Sequence, residues 1–140
     1  MQEKISFFSR LENLVFAERF IEDLLSSNKL SDQQFYEIQL VIAEAVINAI
    51  VHGNKLHPEK YVTVIGNVEK GIALFTIKDE GKGFDFTNLS DPTSAERIYK
   101  PYGRGVFLMK KLANKITFLE NGSTVCIEFL LNDKLKQLEY

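Results

Sequence analysis

The sequence has one cysteine, Cys126, and no tryptophan. A lone cysteine cannot close a disulfide within the chain. The start MQEKISFFSR lacks the apolar stretch of a secretory signal, so a reducing, cytoplasmic compartment is expected. Charge of one sign is also lacking: the formal net charge is -2, with acids and bases mixed along the chain. No field of that size recruits nucleic acid or a membrane, so any partner must be recognised locally. Long hydrophobic runs are missing too. The longest, Leu40 to Val51, is interrupted by Glu44 and Asn48 and is too short to span a bilayer. What remains is a chain of 140 residues, 45% hydrophobic, which fits one domain over residues 1–140 built around a single core.

Apolar periodicity sets out the elements. Lys4 to Phe8 reads as a short strand, and Leu11, Leu14, Val15, Ala17, Phe20, Ile21, Leu24 and Leu25 recur at helical spacing. Ser31 followed by Gln34 resembles a capping box, and from Asp32 to about Val51 nothing breaks a second helix until Gly53. Tyr61 to Val68 and Ile72 to Asp79 are rich in β-branched and aromatic residues and flank a Glu69-Lys70-Gly71 turn, which predicts an antiparallel hairpin. Glu80 to Tyr102 breaks the pattern with four acids, two prolines and two glycines, and is expected to be a long lid-like loop. A third helix over Gly105 to Asn114, a second hairpin (Ile116 to Leu119 and Val125 to Leu131) and a polar tail from Asn132 complete the order. The fold class implied is α+β: a two-layer sandwich of a mixed, mostly antiparallel sheet with three helices on one face.

Three polar elements stand out against this pattern. The second helix is apolar almost all round, so Glu44, Asn48 and His52, spaced four apart, form a polar stripe along one face. Taken alone, such a stripe also describes a partly exposed face, or a buried asparagine satisfied by a neighbouring turn. Where the Ile72 to Lys78 strand ends lies Asp79-Glu80-Gly81-Lys82-Gly83. Strand alternation places Asp79 on the face of Ala73, Phe75 and Ile77, pointing inward. An inward carboxylate needs a donor, such as the exocyclic amino group of a purine, and the glycines allow close approach to a flat ring. A strand-ending turn with a solvated Asp has the same residues. Last, Gly103-Arg104-Gly105 opens the third helix, where free N–H groups and a cation suit phosphate. No strand immediately precedes that G-x-G, and no P-loop occurs, so dinucleotide-fold and P-loop readings are excluded.

The order E-x-x-x-N on a helix, D-x-G-x-G after a strand and G-x-G before a helix resembles the GHKL, or Bergerat-fold, ATP-binding superfamily of gyrases and histidine kinases. The resemblance runs from about Leu11 to Phe129. Glu44-Ala-Val-Ile-Asn-Ala-Ile-Val-His-Gly53 and Tyr102-Gly-Arg-Gly-Val-Phe-Leu-Met109 are most similar to the bacterial anti-sigma-factor serine kinases, small single-domain proteins.

The resemblance implies ATP and Mg2+ as cofactors. Asn48 would be the metal ligand, offering its side-chain oxygen to Mg2+, and Glu44 would be the base or orienting group beside the γ-phosphate. Asp79 would accept from the adenine amino group, with Gly81 and Gly83 shaping that site. Ser123 would add a hydroxyl near Asp79, a role for which Thr124 competes. Gly103, Arg104 and Gly105 would close over the triphosphate. Some members carry an arginine just before the second glycine box, where this chain has Pro101, and Arg104 is the candidate replacement. His52 either touches phosphate or caps the helix end. The implied partners are a STAS-type anti-anti-sigma protein as phosphoryl acceptor, a sigma factor, and a second copy of the chain in a homodimer. Two other readings compete: a non-catalytic, nucleotide-dependent binding module, and a stand-alone histidine-kinase-like ATPase domain. The second lacks support from any segment resembling a phospho-acceptor helix.

Overall fold

The computed structural model describes residues 2–82 and 101–131, and, within the helix at Pro101, side chains from Gly105 onward. Strand β1 (Gln2–Phe8) leads through a single 3-10 turn into α1 (Leu14–Leu25) and α2 (Asp32–Asn48). The hairpin β2 (Tyr61–Glu69) and β3 (Ile72–Lys78) follows, then α3 (Pro101–Leu112), β4 (Lys115–Leu119) and β5 (Thr124–Leu130). The five strands are ordered β1-β2-β3-β5-β4, and every pairing is antiparallel, so no mixed pair occurs among the described residues. The α+β architecture expected from the sequence is the one observed.

Local chemistry accounts for the joints. Ser31 caps α2 by accepting from Gln34 N at 3.1 Å, while Gln34 Nε2 donates across to the Leu130 carbonyl at 2.8 Å. Between β2 and β3, Lys70 (φ 50) and Gly71 (φ 77) both take positive φ, the geometry whose twist matches antiparallel strands. One face of the sheet packs on the helices: Val62, Val64, Ala73, Phe75 and Ile127 are fully buried against α2 residues such as Ile38, Val41, Ile42 and Val46. The alternate residues Ile72 and Leu74 are exposed on the far side.

The continuous helical stretch Asp32–Gly53 is long and apolar enough, by length and composition, to cross a membrane. Its residues Ile38, Val41, Ile42, Val46 and Ile50 are fully buried in the core, which accounts for much of that composition.

The third helix differs from the expected Gly105–Asn114: α3 already includes Pro101, so Gly103 and Arg104 lie within its first turn and Gly105 in its second. Proline suits a first helical position because it lacks an N–H that would be unpaired there in any case. Most of the expected lid (Glu80 to Tyr102) and the tail from Asn132 lie outside the described residues.

Candidate functional site

Helix α2 carries the first half of the site. Asn48 ends its regular turns and is 9% exposed, and among the described residues no hydrogen bond to its side chain occurs. A turn earlier stands Glu44, and α3 crosses both at Gly105. A β-carbon on Gly105 would lie 2.8 Å from Glu44 Oε2, 3.5 Å from Asn48 Nδ2 and 3.7 Å from Asn48 Oδ1. The backbone N–H of Gly105 is far enough into α3 to belong to the helix ladder. Its contribution is therefore the missing side chain, which lets α3 close onto the carboxylate.

After Asn48 the helix widens into a π turn, Ala49–Gly53, and the Asn54 N–H bonds to the Ala49 carbonyl five residues back at 2.8 Å. That change of pitch takes His52 out of the register set by Glu44 and Asn48. His52 is exposed and borders a second cavity with Lys60 and Gly81, away from Asn48. Partial burial lowers its pKa, which weakens it as a cation at the helix end.

The second half comes from the end of β3. The Asp79 N–H donates to the Ser123 carbonyl at 2.9 Å, extending the β3–β5 ladder by one bond, and Asp79 Oδ1 accepts from Gly81 N at 2.7 Å. The alternation reads as expected: Ala73, Phe75 and Ile77 are buried and Asp79 faces the same way. Gly53, Asp79 and Gly81 meet in one seam. A β-carbon on Gly53 would overlap the Asp79 carboxylate, and one on Gly81 would overlap the Gly53 carbonyl.

Asn48 and Asp79, from α2 and β3, wall the same cavity of about 20 Å³ together with Ile77, Met109, Phe118 and Ser123. So small a space leaves little water around the carboxylate. Burial pushes the Asp79 pKa from 3.8 up to about 6, against the opposing pull of the Gly81 N–H and the Lys60 ammonium. Such a carboxylate gains from a donor brought by a ligand.

The remaining sequence candidates divide. Ser123 touches Asp79 through its carbonyl, whereas its hydroxyl donates to the Glu120 carbonyl at 2.9 Å. Thr124 is buried and pairs with Lys78. Gly81 packs against Gly53, and Gly83 lies outside the described residues, as do the side-chain atoms of Arg104. Nothing in the sequence pattern pointed to Gly53 beyond its ending a helix, nor to Asn54, which is 1% exposed. Among the described residues no three His, Cys, Asp or Glu side chains converge to hold a metal alone. The donor set that fits a hard cation is the Asn48 carbonyl with the Glu44 carboxylate beside it, which requires further oxygens from a ligand such as a polyphosphate.

A family model described as histidine kinase-like ATPase domain matches residues 7–129. The chain belongs to that family. Among curated relatives of this ATPase domain, the anti-sigma F factor of Geobacillus stearothermophilus is 33% identical over 130 residues, covering 89% of this chain and 88% of the relative. The anti-sigma F factor of Geobacillus kaustophilus (strain HTA426) has the same identity and coverage, again over 130 residues. That of Geobacillus thermodenitrificans (strain NG80-2) is 28% identical over 131 residues, with 89% and 88% covered. Within this ATPase domain, Asn48 and Asp79 line one cavity, and the Gly53–Gly81 seam packs against Asp79.

Proposed function

We propose that the chain is an ATP-dependent protein serine kinase of the anti-sigma type. It binds Mg-ATP, phosphorylates a STAS-type anti-anti-sigma protein and sequesters a sigma factor as a homodimer in the cytoplasm. The observation that carries this reading is a cavity walled by both Asn48 and Asp79, with Glu44 beside Asn48 under Gly105. Relatives named anti-sigma F factor, matched over most of their length, support the partner class.

In this reading each side chain has a distinct task. The Asp79 carboxylate, poorly hydrated in its cavity, accepts from the exocyclic amino group of adenine. Gly53 and Gly81, lacking β-carbons, let the Asp79 turn close onto the end of α2 and so hold the carboxylate at the cavity. Asn48 presents a neutral carbonyl oxygen to Mg2+, which when bound supplies charge neutralisation to the phosphates. Glu44 orients the attacking serine hydroxyl and takes its proton as the new serine oxygen–phosphorus bond forms and the bond from the γ-phosphorus to the bridging oxygen breaks, leaving ADP. Gly103, Arg104 and Gly105 flank the phosphates from α3.

The test is incorporation of labelled γ-phosphate into a STAS partner from the same genome, run beside equilibrium binding of Mg-ATP. Transfer to one partner serine, lost in Glu44→Gln, is the expected result. Binding of Mg-ATP and of the partner with no transfer would replace the kinase reading with that of a sequestering module.

A further inference from the structure

Asn54 follows the π turn of α2 and lies buried between the ends of three strands. Its Nδ2 donates to the Ser9 hydroxyl and, at 2.9 Å, to the Tyr61 carbonyl, while its Oδ1 accepts from the Glu80 N–H at 2.7 Å. A carbonyl can only accept and an N–H can only donate, so these partners settle which end of the amide faces which. Glu80 is held a second time, since its carboxylate accepts from Tyr61 N at 2.8 Å.

We propose that Asn54 is a positioning residue of the nucleotide site, holding the Asp79–Gly81 turn so that the Asp79 carboxylate stays aimed into the cavity it shares with Asn48. The inference rests on the nucleotide reading above. The β2–β3 ladder stops at Thr63 and Lys78, and among the described residues no further backbone bond ties the β3 end to β2. Asn54 and Glu80 take over from the ladder there. On the other edge, among the described residues, Asp79 is tied by its own N–H to Ser123. Without Asn54 the turn keeps, on the β2 side, only the exposed bond from Tyr61 N to the Glu80 carboxylate among the described residues. The Gly81 contact with Gly53 then loosens, and the carboxylate swings toward water.

Positioning of this kind has a signature in ligand choice. Adenine offers an amino donor to Asp79, and hypoxanthine offers an oxygen at the same place. Equilibrium binding of Mg-ATP and of the inosine triphosphate complex is measured for the wild type, Asn54→Ala and Ser9→Ala. The wild type is expected to prefer ATP. Asn54→Ala is expected to lose roughly tenfold in ATP affinity, about 1.4 kcal/mol, and little toward the inosine nucleotide. Ser9→Ala removes a partner of Asn54 remote from the turn and is expected to keep the preference. Equal weakening of both nucleotides in Asn54→Ala would mean a general structural role and overturns the proposal, as does an unchanged preference. Failure of the wild type to bind either nucleotide overturns the nucleotide reading itself.

Should Asn54→Ala fail to fold, hydrogen exchange on the nucleotide-free wild type still decides. The Glu80 N–H, beyond the end of its strand, is expected to exchange as slowly as the Ile77 N–H within it, and exchange at the rate of an open turn overturns the proposal.

Discussion

Gly105 packs so closely on Glu44 that a β-carbon at that position would stand 2.8 Å from Glu44 Oε2. The contact ties α3, which carries the second glycine pair, to the side chain proposed to act at the γ-phosphate. The atom met is the far end of a flexible side chain, so a side chain at this position moves the carboxylate and not the helix. Gly105→Ala is expected to change stability by no more than about 1 kcal/mol, since helix propensity favours alanine, and to displace Glu44, lowering transfer more than nucleotide affinity. Urea unfolding and a phosphotransfer assay on the same preparation check this.

Glu44 and Asn48 are neighbours on α2 with different tasks, and two variants separate them. Glu44→Gln keeps the shape and removes the charge, so phosphoryl transfer is expected to vanish while Mg-ATP affinity stays nearly intact. Asn48→Ala removes the proposed metal ligand and is expected to lose Mg-dependent binding along with transfer. Nucleotide titrations with and without Mg2+ distinguish the two patterns.

Asp79 predicts a pH dependence. Its pKa in the folded chain is raised by burial from 3.8 to about 6. Between those values the folded state binds more protons than the unfolded one, so stability of the nucleotide-free protein is expected to fall as pH rises from about 4 to 6 and to level off above. Nucleotide binding has the opposite sign, because an adenine amino donor favours the ionised carboxylate. Affinity is expected to rise through pH 6 with release of a proton, and calorimetry in buffers of different ionisation heat measures that proton. Asp79→Asn should flatten both profiles.

Mg-ATP is expected to raise the melting temperature, since a ligand that binds only the folded state stabilises it by mass action. Asp79→Asn exchanges an acceptor-only group for a mixed one and disturbs a charge-assisted bond worth roughly 1.5–3 kcal/mol, or about ten- to a hundredfold in affinity. A thermal-shift series with millimolar Mg-ATP reads both effects, and an unshifted wild type would remove the basis for the nucleotide site.

Much of the fold was legible because its elements obey their periods. The period-two alternation of Ala73, Phe75 and Ile77 carried through to Asp79, and its inward direction followed without a structure. Glu44 and Asn48 stood out as polar residues on an apolar helix, and the bounds of β3 and β5 differ from expectation by no more than a residue or so. His52 shows where periodicity misled: spacing by fours assumes an unbroken α-helix, and the π turn at Ala49–Gly53 ends that assumption one residue after Asn48. Ser123 was named for its hydroxyl, but it is the carbonyl that meets Asp79, a backbone contact that side-chain reasoning does not see.

The sequence by itself determined the α+β order of elements, the inward carboxylate and the succession of polar motifs, because these follow from the local periods of helix and strand. Only the tertiary structure decided which of those motifs meet. The placing of β5 beside β3 brings Ser123 to Asp79. The crossing of α2 and α3 sets Gly105 on Glu44, and the widened turn after Asn48 delivers Gly53 and Asn54 to the Asp79–Gly81 turn. Each is a contact between residues far apart in the chain, governed by the direction in which whole elements pack. Local pattern carries no record of that direction.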